Sequence, residues 1–219
     1  MLDHMKQIKV AIIDYGAGNM LSVKRAVEAC EAIGICTADP MIIEKADRII
    51  LPGVGAFSSA MNALNNLNLV EFIQKMASNG KPLLGICLGM QLLFDESEEF
   101  GLTPGLKILP GRIVKIPITR KNGKLIKIPH IGWNRLKSYP DVSWKNTLLE
   151  NNSVGDEFYF VHSFIAEASN RSHVLAYSQY EDIEINAVVR SNNVIGCQFH
   201  PEKSGTLGIK ILKQFVSRG

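Results

Sequence analysis

Gly85-Ile86-Cys87-Leu88-Gly89, preceded by the apolar run Pro82-Leu83-Leu84 and followed by Met90-Gln91-Leu92-Leu93-Phe94, reads as a buried strand that turns sharply into a helix. Glycines two positions to either side of Cys87 remove the Cβ atoms that so tight a turn would crowd, and the turn projects the cysteine at the C-terminal edge of a sheet. A thiol in that place faces the first amides of the following helix. Their partial positive charge, together with a nearby imidazolium, lowers a thiol pKa from about 8.5 into the range where the thiolate attacks carbonyl carbon. An isolated strand-end cysteine is more often an inert, buried apolar side chain. A second, distant stretch decides between the two.

That stretch is Gln198-Phe199-His200-Pro201-Glu202. A nucleophile needs a base, and the base needs a group that orients it. His200 can take the thiol proton at one ring nitrogen while Glu202 accepts from the other and fixes the tautomer. Pro201, with its φ locked, limits how the two side chains can be placed relative to each other. Alone, His-Pro-Glu is a surface turn; beside a cysteine elbow it completes a triad.

Working outward from Cys87, the first half of the chain alternates short apolar runs with helical periodicity. Lys9 to Asp14 reads as a buried strand, and Met20, Val23, Val27, Cys30 and Ile33 recur at helical spacing after it. Arg48 to Leu51 reads as a second strand, about Ala56 to Met76 as a helix, and Pro82 to Ile86 as the strand that ends at Cys87. This order predicts an α/β fold with a mainly parallel sheet and helices on both faces. After Gly105 closely spaced strands are expected at Arg112 to Ile118, Leu125 to Ile128, Asp156 to Ile165, His173 to Ser178, Ala187 to Arg190 and Val194 to Phe199, before a last helix from about Thr206 to Val216. Asn151-Asn152-Ser153 reads as a loop.

Composition sets bounds around this reading. With 219 residues, 46% hydrophobic and 21% charged, the chain is an ordinary globular enzyme in make-up, and one domain over residues 1 to 219 is expected. Cys30, Cys36, Cys87 and Cys197 form no C-x-x-C pair, so neither zinc nor a disulfide framework is expected. No apolar run approaches the ~18 residues of a membrane span and the N-terminus lacks a signal-like segment, which predicts a cytoplasmic protein with no membrane partner. Met5 stands as a second candidate start. A net charge of +3 is too small to argue for nucleic acid. The eight cations between Arg112 and Lys137, with no acid among them, read as the solvated face of an antiparallel hairpin turning at Asn122-Gly123. Gly16-Ala17-Gly18 is no dinucleotide fingerprint, because its third glycine would fall at Leu21.

The elbow and the distant His200-Pro201-Glu202 resemble the class I (triad) glutamine amidotransferases, which release ammonia from glutamine. Within that family, four further stretches resemble the glutaminase subunits of imidazole glycerol phosphate synthases: Asp14 to Asn19, Pro52 to Phe57, His130-Ile131-Gly132-Trp133-Asn134, and Tyr159-Phe160-Val161-His162-Ser163, with Lys203-Ser204 after Glu202. The resemblance covers nearly the whole chain. It implies a three-layer class I amidotransferase-like fold, L-glutamine as substrate, no cofactor and no metal, and a heterodimer with a (β/α)₈-barrel cyclase subunit. The cyclase would use ammonia to form imidazole glycerol phosphate and AICAR.

Site residues follow from both sources. Val54, between two glycines, can turn an amide toward Cys87, and Leu88 follows an elbow nucleophile, so the two N–H groups are expected to form an oxyanion hole. Gln91 lies one helical turn beyond Cys87 on the same face. The resemblance assigns Gln91, Gly53, Glu99 and Ser163 to glutamine, although Glu99 also belongs to the acidic run from Asp95 to Glu99. It places Asn19, Tyr159 and Lys203 at the subunit interface, with Asn19 equally a helix N-cap. His162 and His173 read as structural. Three alternatives stay open at this stage: a paralogue feeding ammonia to a sugar-modifying synthase of surface polysaccharide assembly, a cysteine protease, and a catalytically silent binding subunit.

Overall fold

The computed structural model describes residues 7–16, 18–120 and 122–218; Met5, Ala17 of the glycine loop and Lys121 of the basic segment lie outside the described residues. Strand β1 (Lys9–Ile13) shows how the layers arise, because Val10, Ala11, Ile12 and Ile13 are all fully buried. Side chains alternate across a strand, so Val10 and Ile12 enter one core and Ala11 and Ile13 the other. Helix α1 (Met20–Glu28), strand β2 (Ile33–Thr37), helix α2 (Pro40–Lys45) and strand β3 (Arg48–Gly53) follow. In β3 the same split sends Ile50 to the first core and Ile49 and Leu51 to the second.

Helices α3 (Phe57–Asn66) and α4 (Val70–Ser78) lead into β4 (Leu83–Cys87) and the one-turn helix α5 (Leu88–Leu92). Then come β5 (Phe94–Ser97), β6 (Thr103–Pro104), β7 (Leu109–Lys115), β8 (His130–Lys137), β9 (Glu157–His162) and β10 (Phe164–Ala168). Strands β11 (Val174–Tyr180), β12 (Ile183–Ser191) and β13 (Val194–Cys197) precede a 3₁₀ turn at Pro201–Lys203 and helix α6 (Gly205–Ser217).

The main sheet has the order β2-β1-β3-β4-β13-β12-β11-β8-β9. Its first five strands are parallel and the pairings from β13 to β9 antiparallel. A smaller sheet, β10-β7-β5-β6, packs over one face. Helices α1 and α6 cover the other face through Val23, Val27, Ile211, Leu212 and Phe215. Phe57, Met61, Leu64 and Ile73 of α3 and α4 share their core with Leu109 and Ile113 of the small sheet, which completes three layers. Each fully buried Ile, Leu or Phe contributes about 2 kcal/mol by leaving water. Arg48, 4% exposed, donates from Nε to the Val216 carbonyl at 2.8 Å and so ties β3 to the end of α6.

Several elements differ from the sequence reading. Ile33 opens β2 instead of continuing α1, because the chain leaves the helix at Glu28 and turns through Glu31 at φ 63°. The span Ala56 to Met76 is two helices, broken where Asn68 takes φ 54°. Arg112 to Lys137 is not one hairpin: β7 pairs with β10 and β5, while β8 pairs with β9 and β11. Asn122-Gly123 turns only a local Thr119–Leu125 bridge, and Leu125 to Ile128 forms no strand. Asp156 to Ile165 is split at Ser163 into two strands that belong to different sheets. Strands β2, β5, β6 and β8 and helix α2 were not anticipated.

Candidate active site

Cys87 ends β4 with φ 54° and ψ −111°, a conformation costly for any side chain and held by the packing around it. The backbones crowd closely enough to explain the flanking glycines. A Cβ on Gly89 would lie 1.8 Å from the Leu51 carbonyl oxygen, and one on Gly85 2.7 Å from that of Gly89. Gly53, paired in register with Cys87, has the Tyr15 hydroxyl where its Cβ would be, at 2.5 Å. That hydroxyl donates to the Pro52 carbonyl at 2.8 Å, and burial first, then the charge of Cys87, push its pKa up. Gly53 therefore serves close packing behind the elbow and is not among the residues lining the cavity at Cys87.

His200 follows β13, the strand parallel to β4, so its position next to the elbow is set by sheet order. Its backbone N–H donates to the Tyr159 carbonyl at 2.9 Å, and its own carbonyl accepts from the Ser204 hydroxyl at 2.7 Å. Nδ1 lies 2.7 Å from Glu202 Oε1, with both side chains 3% exposed or less. Nε2 and Glu202 Oε2 are buried without hydrogen-bond partners. Burial opposes charging of this imidazole, but Cys87 and then Glu202 outweigh it, and the pKa is pushed up to about 9. The charged form of His200 is thereby favoured beside Cys87.

Cys87, Leu88, Val54, Gln91, Glu99, Ser163 and His200 line one cavity of about 310 Å³, together with Gly55, Pro129, Val161, His162 and Phe164. The fold brings both expected oxyanion donors here. Leu88 opens α5, where first-turn amides have no helical partner, and Val54 remains 43% exposed beside Gly55 at φ 101°. Glu99 is held in place, not merely solvated: its Oε2 accepts from the Phe57 amide at 2.6 Å at the start of α3. Gln91 is oriented by its neighbours. Its Nε2 is committed to the Phe164 carbonyl and to Gln198 Oε1, each at 3.0 Å, which leaves its oxygen for a ligand.

The residues expected at an interface lie outside the cavity. Asn19 caps α1, accepting from the Ser22 amide at 3.3 Å. Lys203 is exposed beyond Glu202. Tyr159 packs edge-on against Trp133, centroids 6.1 Å apart, on the strand whose carbonyl holds His200. Several cavity neighbours escaped the sequence reading, Gln198, Pro129 and His162 among them. Gln198 reaches from Nε2 toward Cys87 Sγ at 3.9 Å, and its two-residue spacing from His200 was the available signal. Pro129 carried none. His162 was read as structural, yet lines the cavity with its Nε2 2.9 Å from His130 Nδ1.

A larger hollow of about 480 Å³, around Arg190, Gln214 and Arg218, lies at the opposite ends of β4 and β13 and is lined by no Cys, His, Asp or Glu. Among the described residues no three His, Cys, Asp or Glu side chains gather as metal ligands, and no helix is long and apolar enough to cross a membrane. Cys30, Cys36, Cys87 and Cys197 are free thiols, and burial raises the pKa of Cys197.

Comparison with known proteins agrees with this architecture. The family model for class-I glutamine amidotransferases matches residues 1–218. The chain is 47% identical over 208 residues to "Imidazole glycerol phosphate synthase subunit HisH 1" of Legionella pneumophila (strain Paris), covering 94% of this chain and 98% of the relative. It is 48% identical over 209 residues to the HisH subunit of Geobacillus sp. (strain WCH70), covering 95% and 96%. Among solved structures, one titled as a glutamine amidotransferase superposes with a TM-score of 0.70 at 17% identity, covering 94% of this chain and 96% of that one. PurLQS from Thermotoga maritima superposes with 0.62 at 20% identity, covering 95% and 97%. At those identities the structures speak for the fold alone.

Proposed function

The chain belongs to the class-I glutamine amidotransferase family, and we propose that Cys87, His200 and Glu202 are the triad with which it hydrolyses L-glutamine to glutamate and ammonia. It is the glutaminase subunit of an imidazole glycerol phosphate synthase, the name carried by relatives 47–48% identical over nearly its whole length. Those names favour the histidine-pathway nucleotide over a sugar as the acceptor's chemistry. The observation that carries the catalytic reading is the cavity that holds Cys87 and His200 together, with Glu202 bound to the far nitrogen of the imidazole.

The thiolate of Cys87 attacks the carboxamide carbon of glutamine, and the carbonyl oxygen gains negative charge that the Leu88 and Val54 amides stabilise. Losing one such donor typically costs 10²- to 10³-fold in rate. The His200 imidazolium gives its proton to the amide nitrogen, the C–N bond breaks, and ammonia leaves a thioester on Cys87. Neutral His200 then takes a proton from water, whose oxygen attacks the thioester and expels the thiolate as glutamate forms. Glu202 stabilises the imidazolium each time it appears. Gln91 Oε1, Glu99 and Ser163 are the polar groups available to the glutamine ammonium and carboxylate.

Ammonia in water at neutral pH is mostly ammonium, which is not nucleophilic, so it must pass directly to an acceptor site. That site belongs to a separate (β/α)₈-barrel cyclase subunit, which forms imidazole glycerol phosphate and AICAR. Cys87→Ala tests the assignment. The complex should lose glutamine-dependent synthesis yet retain synthesis from added ammonium salts. Glutamate release at the wild-type rate by the alanine variant would overturn it.

A further inference from the structure

We propose that His130 is a positioning residue of the glutamine site, which fixes the tautomer of His162 and thereby holds the break between β9 and β10 that presents Ser163 to the cavity. The proposal rests on the glutaminase reading above and adds to it a residue outside the triad and the substrate contacts.

A chain of hydrogen bonds with two fixed ends links His130 to the cavity. At one end, His162 Nδ1 lies 2.9 Å from the Phe164 carbonyl oxygen, which can only accept, so Nδ1 carries a hydrogen. At the other, Asn134 Oδ1 accepts from the Arg135 amide at 2.8 Å and its Nδ2 donates to the Gln179 carbonyl at 3.0 Å. The group that Asn134 turns to His130 Nε2, at 3.4 Å, is therefore a donor, and Nε2 is bare. Between these ends, His130 Nδ1 and His162 Nε2 are 2.9 Å apart. One arrangement satisfies every contact: Asn134 donates to His130, His130 Nδ1–H donates to His162 Nε2, and His162 Nδ1–H donates to Phe164.

An extra proton on either ring would set two donors face to face. Burial acts in the same direction, lowering the pKa of His130 to about 4 and that of His162 to about 3. The neighbouring imidazoles of His130 and His200 depress His162 further. His200 alone of the three is set to take a proton. Stacking on Phe160 and Tyr180, at centroid distances of 5.1 and 4.1 Å, keeps the His130 ring in place.

The consequence reaches the substrate side through Phe164. The same carbonyl that accepts from His162 also accepts from Gln91 Nε2 at 3.0 Å, so its position sets Gln91 as well as Ser163. If His162 took the other tautomer, Phe164 would lose a donor. The kink at Ser163 would then relax toward the continuous strand that its flanking residues favour.

Nitrogen-15 NMR of histidine-labelled full chain reads the tautomers directly. The expected result is a neutral His162 with hydrogen on Nδ1 and a bare Nε2, unchanged from about pH 6 to 8. His130→Phe keeps the stacking and removes the donor. In the complex with cyclase and acceptor nucleotide it should raise KM for glutamine roughly tenfold, the cost of one lost buried hydrogen bond, with kcat less affected. Alkylation of Cys87 by iodoacetamide should be unchanged, and the His162 signals should show mixed tautomers. His130→Asn, whose amide nitrogen can stand near the Nδ1 position, should recover most of the affinity. A wild-type His162 that is charged or protonated on Nε2 would overturn the proposal, and so would an unaltered KM in a folded His130→Phe. The tautomer measurement needs no variant, so it decides even if the substitution prevents folding. Failure of wild-type complex to consume glutamine, with the tautomers as stated, would instead refute the glutaminase reading.

Discussion

At the scale of single residues, charge coupling within the triad makes the sharpest predictions. His200 is raised to about 9 although burial alone would lower it, because Cys87 and Glu202 favour the charged ring. Removing the Cys87 side chain by Cys87→Ala should therefore lower the His200 pKa, read by NMR titration; an unchanged value would mean that Cys87 does not support it. The sign for stability follows from the same shift. A folded-state pKa above the unfolded 6.5 stabilises the fold fully below about pH 6.5, and that contribution fades as pH rises through about 9. Glu202→Gln keeps the shape of the orienting group and removes its charge. It should slow glutamate release by orders of magnitude, though less than His200→Ala; near-wild-type turnover in both variants would remove the triad. These three residues stood out in the sequence because Cys87 sits between two glycines and His200 and Glu202 sit two residues apart around a proline, both diagnostic local spacings. Gln198 and His162 were not, since their partners Gln91 and His130 lie far off in sequence and only the sheet brings them together.

At the scale of elements, the elbow depends on the absence of side chains. Gly89→Ala would place a Cβ 1.8 Å from the Leu51 carbonyl oxygen, where neither β3 nor α5 can move without displacing Cys87. The variant should lose about 3 kcal/mol or fail to fold; thermal unfolding at the wild-type temperature would contradict this packing. The β4–α5 elbow was readable because Gly-x-Cys-x-Gly, set between two apolar runs, admits few other conformations. Long-range register was not. The basic stretch looked like a hairpin because Asn122-Gly123 is a strong local turn signal, yet β7 finds its partners in β10 and β5. Likewise Asp156 to Ile165 reads as one strand from its apolar residues, and only the two-sheet packing explains the break at Ser163. Helix α2 and strand β2 were too short, and their periodicity too weak, to stand out beside α1.

At the scale of the molecule, the site opens next to apolar surface that the chain itself leaves uncovered. Ile131 and Trp133 are each 56% exposed on the outer face of β8, and Trp133 packs against Tyr159, whose carbonyl anchors the His200 backbone. Val54, an expected oxyanion donor, is 43% exposed at the cavity rim. A partner covering these residues would touch the backbone around both His200 and the oxyanion hole, while the triad itself stays buried. Free hydrolysis of glutamine would waste nitrogen, so the competent arrangement should be favoured only when the cyclase is docked with its acceptor bound. For the complex to raise the population of that arrangement a thousandfold while it remains the minor state, partner and acceptor must bind it more tightly than the resting one by about 4 kcal/mol. The check is glutamate release by the isolated chain, by the chain with the cyclase subunit, and by the complex with acceptor nucleotide. Activity should be low in the first and rise through the second to the third. Trp133→Ala should weaken the two stimulated rates and leave the isolated chain's rate unchanged. Full activity in the isolated chain, indifferent to both additions, would show that this surface carries no coupling to the triad.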